Sequence, residues 1–333
     1  MPADDPVAVA GALDVDIDDV HRPAKRRMMV DAIDPNDRTT TLDYPELDTA
    51  QYETVRSELV DRHSEKAVES VLHVAGMRRT YDDQEAIQTY ERLTKAVAGA
   101  GGEVRDGGDR ARALTDAERA VYRDLHALSN ALVDRHFPDE SFTTYRGMGG
   151  SQTATLAAAV FDDPDADTYS FSTAPVSYVT TDRRTAEEFS KGVVIERETD
   201  PDDVALAIDY VVEPDFPLQV NVGELHLKGG EFTVDAGNVV HRPEMSGSLD
   251  RPLTETAQRM DDPETMDRRE HTAVAGLIRQ MGIKGVTLGT QAGADRVRNW
   301  YDTVVETDAM REQSRSSLEQ YVEYVTLVGG DGG

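Results

Sequence analysis

The chain has 333 residues, 64 acidic and 35 basic side chains, and a formal net charge of −29 at pH 7, a field that repels nucleic acid and anionic membrane surfaces. It contains no cysteine, which excludes disulfides, thiol nucleophiles and cysteine-bound zinc. Arg supplies all but six of the basic residues. This Asp-rich, Lys-poor, aromatic-poor composition suits molar salt, where a Debye length of roughly 3 Å makes such self-repulsion tolerable.

Residues 1–45 read as an acidic, loosely ordered N-terminus. The start, Met1 to Asp5, is acidic and the apolar run from Val7 to Leu13 is short, so no secretory signal is expected. No apolar stretch approaches 18 residues, and the expectation is a cytoplasmic protein, or one packaged in a particle assembled there, with no membrane partner. One basic knot, His21-Arg22-Pro23-Ala24-Lys25-Arg26-Arg27, interrupts the acidity. In so acidic a chain it reads as a source of salt-bridge partners.

Residues 46–110 read as a helical region and a Gly-rich linker. Apolar positions at Val55, Leu59, Val68, Val71, Leu72 and Val74 mark the helices over 48–98, and Gly99, Gly101, Gly102, Gly107 and Gly108 mark a flexible break. That break lacks the Lys-Ser/Thr of a phosphate-binding loop and follows a helix, not a strand.

Residues 111–330 read as a third region. Thr115 with Glu118 forms a capping-box pattern, and Val121, Leu125, Leu128 and Leu132 give the following helix one apolar face. Strands are predicted over 142–146, 177–181, 193–196, 204–212, 232–234, 239–241, 285–288 and 324–328. Helices are predicted over 183–190, 265–281, 294–305 and 309–322, with Trp300 in the core. Short mixed strands with peripheral helices give an α+β class.

Three features in this region carry chemistry. The first is Thr144-Tyr145-Arg146-Gly147, an Arg near a strand end with a Gly that lets the backbone approach a ligand. The second is the hydroxyl-rich run Ser177-Tyr178-Val179-Thr180-Thr181-Asp182, leading into a helix with Ala186 and Phe189. The third is Gly229-Gly230-Glu231-Phe232-Thr233-Val234, a carboxylate at a strand start before the Gly237 turn. Rivals exist for two of them. Ser170-Phe171-Ser172-Thr173 matches the hydroxyl feature as well, and Glu196-Arg197-Glu198 is a second acidic pair, though it follows the Thr strand too closely to leave room for intervening strands.

In this order, the three features resemble the Arg–Ser–Glu class of ADP-ribosyltransferases, which includes cholera-like and clostridial toxins and many phage enzymes. The resemblance covers roughly residues 112–330. It implies a split mixed or antiparallel β core with peripheral helices, and mono-ADP-ribosyl transfer from NAD. It implies that Arg146 holds NAD, with Tyr145, Gly147, Thr181 and Tyr178 beside it. Ser177 and Thr180 would orient the ribose and the carboxylate, and Glu231 would be catalytic. Arg offers a bidentate fork to phosphate. A fixed carboxylate stabilises the positive charge that develops on ribose as nicotinamide leaves.

The resemblance implies an acceptor as well, a host protein by analogy with phage enzymes, and a source in a halophilic archaeon or its virus. The class's arginine-modifying members carry a second carboxylate two residues before the catalytic one. Here Gly229 stands in that place, and Glu224 is the nearest substitute, from a loop. Water as acceptor would make the protein an NAD glycohydrolase. A catalytically silent binding or virion-assembly module is the non-enzymatic alternative. No metal is expected, because the histidines are scattered and His271 has no partner at ligand spacing.

Overall fold

The computed structural model describes residues 21–25, 41–45, 49–77, 83–137, 141–190, 192–207, 224–241, 251–307 and 312–327. In chain order its elements are β1 (His21–Lys25), β2 (Thr41–Pro45), α1 (Thr49–Arg62), α2 (Glu65–Met77), α3 (Gln84–Val97), α4 (Asp116–His136), β3 (Phe142–Gly147) and α5 (Gly150–Asp162). There follow β4 (Thr168–Ser172), β5 (Val176–Thr180), α6 (Arg183–Phe189), β6 (Val193–Thr199), β7 (Val204–Ala207) and β8 (Glu224–Lys228). The last are β9 (Glu231–Asp235), β10 (Val239–His241), β11 (Arg251–Pro252), α7 (Leu253–Arg259), α8 (Arg268–Lys284), α9 (Gln291–Glu306) and α10 (Glu312–Val325). N-terminal helices are followed by antiparallel sheet interspersed with helices, an α+β protein.

The chain folds as two compact units. The first comprises Met1–Thr144, Ser172–Thr185 and Glu198–Glu231. Within it β1 pairs antiparallel with β2, and β8 is flanked by β5 and β7, both antiparallel to it. The helices start where the sequence supplies caps. Asp83 accepts from the Ala86 N–H at 3.0 Å to open α3, and Thr115 with Glu118 closes a reciprocal box at α4. α4 lies on β7. Val121, Leu125, Leu128 and Leu132 join Leu59, Val68, Val71, Tyr90 and Leu93 in one buried core with Val179, Leu206, Leu225 and Leu227. Each such side chain contributes about 1.5–3 kcal/mol of burial. The predicted run 204–212 is strand over Val204–Ala207, and its remainder lies outside the described residues.

The second unit comprises Tyr145–Phe171, Ala186–Arg197 and Phe232–Gly333. There β10 lies antiparallel between β6 and β11, and β4 pairs with β9. α5, α8, α9 and α10 enclose Phe161, Val274, Ile278, Val297, Trp300 and Leu318, so Trp300 is core as expected.

Two predicted strands are absent among the described residues. Residues 285–288 instead end a helix: Gly285 takes φ 70° as the left-handed cap of α8, and the Val286 N–H bonds back to the Met281 carbonyl at 2.9 Å. Residues 324–325 complete α10, because its apolar positions Leu318, Val322 and Val325 repeat at helical spacing.

Candidate functional site

Helix α3 is unusual in what it buries. Beside the apolar Ala86, Ile87, Tyr90 and Leu93, it encloses Gln88, Thr89, Glu91 and Thr94, all fully shielded. A shielded carboxylate needs compensation, and Glu91 has it. Arg105 Nε stands 2.8 Å from Glu91 Oε1, and the Arg105 backbone N–H donates to Oε2 at 2.9 Å. Gln88 Oε1 accepts from the Arg110 N–H at 2.9 Å, and Arg92 donates to the carbonyls of Ala111 and Arg112. The segment 105–112 is thus strapped to α3 by polar side chains. Gln88 Nε2 and Thr89 Oγ1 make no hydrogen bond among the described residues.

From the middle of this helix Tyr90 reaches the β5–β8 ladder. In that register Thr180 stands opposite Glu224, and Tyr178 stands opposite His226. Directly opposed residues share a sheet face, and so do residues two apart on one strand. Tyr178, Thr180, Glu224 and His226 therefore occupy one face. His226 is completely buried. Its Nδ1 lies 2.5 Å from the Tyr90 hydroxyl and its Nε2 lies 3.3 Å from Glu224 Oε1. The Tyr178 ring meets the imidazole edge-on at 4.8 Å, and the Arg105 guanidinium lies 6.0 Å from the Tyr178 ring centre. Tyr122 bonds Thr94 at 2.8 Å, and burial pushes its phenol well above the usual value despite the hydroxyls of Thr94 and Tyr90.

The predicted site residues separate into groups. Ser177 and Thr180 are both buried but lie three positions apart, so they address opposite faces of β5. Ser177, opposite Leu227, shares its face with Val179 and Leu225. Thr180 Oγ1 accepts from the Asp182 N–H at 3.0 Å, Thr181 is half-buried, and Asp182 caps α6 by accepting from the Thr185 N–H at 3.0 Å. Glu231 begins β9 and is exposed. The rival Ser170 is exposed and its hydroxyl lies 3.2 Å from that of Thr233 on β9. Glu198 accepts from the hydroxyls of Ser141 and Thr143.

In the second unit Tyr145, Arg146 and Gly147 are half-buried, and Arg146 Nη2 donates to Gln152 Oε1 on α5 at 3.0 Å. A Cβ at Gly147 would lie 2.2 Å from the Ala186 carbonyl oxygen, so this Gly meets protein backbone closely.

Gly229 has a similar explanation. A Cβ there would fall 1.8 Å from the Ala174 carbonyl oxygen. Its N–H donates to the Pro175 carbonyl at 2.8 Å, and its carbonyl accepts from the Gly101 N–H at 2.7 Å. Close main-chain approach excludes any side chain at 229, a carboxylate included. Gly101 and Gly102, from the Gly-rich stretch, complete this junction: a Cβ at Gly102, which has φ 77°, would meet the Thr173 carbonyl at 2.3 Å.

Sequence reasoning missed Tyr90, His226 and the Glu91–Arg105 pair. One signal was present: Glu224 and His226 are spaced by two in an otherwise apolar strand, Glu-Leu-His-Leu. Among the described residues no cluster of three or more His, Asp or Glu has metal-binding geometry, and no helix is long and apolar enough to cross a membrane. Compared with protein-family models, curated proteins and solved structures, the chain matches none.

Proposed function

We propose that this protein is an NAD-dependent mono-ADP-ribosyltransferase, cleaving the nicotinamide–ribose bond and passing ADP-ribose to an acceptor. The observation that carries this reading is the shared face of Thr180, Glu224, Tyr178 and His226. Glu224 is a shielded carboxylate with a hydroxyl directly across the ladder, the pairing that charge development on ribose calls for. Its side chain retains 10% exposure.

In this reading Glu224 takes the catalytic role that the resemblance gave Glu231. An exposed carboxylate at a strand start is solvated and screened, whereas a shielded, hydrogen-bonded one acts in a low dielectric. Tyr178 supplies an aromatic surface. For Arg146, in the second unit, the bidentate hold on the pyrophosphate stands on the resemblance alone.

The position two before Glu224 is Val222, so no second carboxylate precedes it to orient an arginine acceptor. That favours a second reading, with water as acceptor, in which the protein is an NAD glycohydrolase. The acidic, Lys-poor composition supports a high-salt cytoplasm, or a virion assembled there, as the working environment.

The test is nicotinamide release from NAD by the full chain in molar KCl, together with Glu224→Gln, Glu231→Gln and Arg146→Ala. Glu224→Gln lowers the rate by roughly 10²–10³-fold, Glu231→Gln leaves it within about twofold, and Arg146→Ala mainly raises KM. If Glu231→Gln carries the large loss, the carboxylate is Glu231. If the folded parent neither binds nor cleaves NAD, the enzyme reading fails and a binding or virion-assembly module stands. ADP-ribose recovered free in solution, with none attached to lysate protein, selects the glycohydrolase.

A further inference from the structure

The hydrogen-bond chain Tyr90–His226–Glu224 has a direction fixed by chemistry. An ionised Glu224 carboxylate can only accept, so the imidazole N–H lies on Nε2 toward it, and Nδ1 is left to accept from the Tyr90 hydroxyl, 2.5 Å away. Nδ1 then carries no proton, and the imidazole's single N–H sits on Nε2, facing Glu224 Oε1 at 3.3 Å. In the neutral ring each donor meets an acceptor, and the imidazole bridges the two groups. Both Tyr90 and His226 are fully buried, with their rings 5.4 Å apart, and Tyr178 closes the other side of the imidazole. Both rings are fully enclosed, so the packing holds the Nε2–H direction.

We propose that Tyr90 and His226 are positioning residues that hold the Glu224 carboxylate rigidly on the β5–β8 face; this rests on the carboxylate role proposed for Glu224. A leucine at 226 would suit a strand flanked by Leu225 and Leu227 and would bury no polar atom. The histidine, 136 positions from Tyr90, ties that helix residue to a strand carboxylate. Such a bridge fixes one carboxylate oxygen before substrate arrives, so no reorganisation is needed as charge develops on the sugar.

The test uses the full chain with Tyr90→Phe, His226→Leu and His226→Gln. Gln can accept from Tyr90 through its oxygen and donate to Glu224 through its amide, so it restores the bridge. Tyr90→Phe is expected to lower kcat about tenfold, equivalent to about 1.4 kcal/mol, with KM within about twofold. His226→Leu loses more, and His226→Gln recovers much of that loss. A folded Tyr90→Phe variant with parental kcat overturns the proposal.

A second measurement is independent of activity. The ¹⁵N shifts of His226 in the parent are expected to report the neutral Nε2–H form, mixing with the Nδ1–H form in Tyr90→Phe. A parent that shows Nδ1–H overturns the bridge whether or not NAD is cleaved. A parent that shows Nε2–H but cleaves no NAD sinks the enzyme reading and leaves the bridge standing.

Discussion

Each unit buries a carboxylate beside a histidine, and the two pairs are built differently. In the second unit Glu270 is 1% exposed and accepts from Arg251 at 2.7 Å, from Arg259 at 2.9 Å and from the Asp267 N–H at 2.6 Å. Its neighbour His271 accepts from Trp300 Nε1 at 3.1 Å, and burial lowers its pKa. The Asp267 N–H contact completes the start of α8, through the capping box of Asp267 and Glu270. In the first unit Glu224 and His226 lie on a strand face, and the Tyr90 hydroxyl that meets His226 comes from the body of a distant helix. No helix end is satisfied by that contact. One carboxylate finishes secondary structure; the other is held by a histidine that is itself gripped from across the fold.

The sharpest break of this comparison is an exchange of effects between the two carboxylates. Glu224→Gln is expected to cost roughly 10²–10³-fold in nicotinamide release while the thermal midpoint hardly moves, as nicotinamide assay and calorimetry would show. Gly229→Ala is next. Its Cβ would overlap the Ala174 carbonyl, and urea titration should read a loss of about 3 kcal/mol. Equal stability would mean that the junction yields. Glu270→Gln should lose about 2 kcal/mol, below the usual figure for breaking a buried pair because both arginines keep about a third of their exposure to water. It should leave NAD chemistry untouched.

Glu118 sharpens the comparison through pH. Burial alone would raise its pKa, but Arg112, the Thr115 N–H and the hydroxyls of Ser70 and Thr115 bring it down to about 2 from 4.5. The folded pKa is depressed, so its stabilisation is full above about 4.5 and is lost as pH falls toward 2. Urea midpoints over that window should fall more steeply for the parent than for Glu118→Gln; parallel curves would refute the assignment. The smallest effect is Asp83→Ala at the α3 cap, about 1 kcal/mol by the same titration.

Much of the fold was legible because its signals are local. The Thr115–Glu118 box, the apolar face of α4 and the strands around 142–147, 176–180 and 193–199 all declare themselves within a few residues. β8 did not. Its residues are buried on both faces except at Lys228, so the alternation that marks a strand is missing. The Ala-rich α5 lacks a polar stripe for the same reason: seven of its residues are buried. The candidate site suffered most from this. Thr180 was found by its motif, but Glu224 and His226 become partners only through strand register, and Tyr90 only through tertiary packing. None of these is written in spacing along the chain.

The junction of Gly101, Gly102, Thr173, Ala174, Gly229 and Gly230 has a consequence for the order of folding. Its bonds join main chain to main chain across more than fifty residues on each side. Closing such loops costs entropy before any contact rewards it, whereas α1 to α4 assemble through near neighbours. The helices therefore condense first and the glycine junction locks late, with φ-values near zero. Substitutions there should accelerate unfolding and leave refolding almost unchanged, so the lifetime of the folded first unit is governed by six residues with hardly a side chain to spare between them.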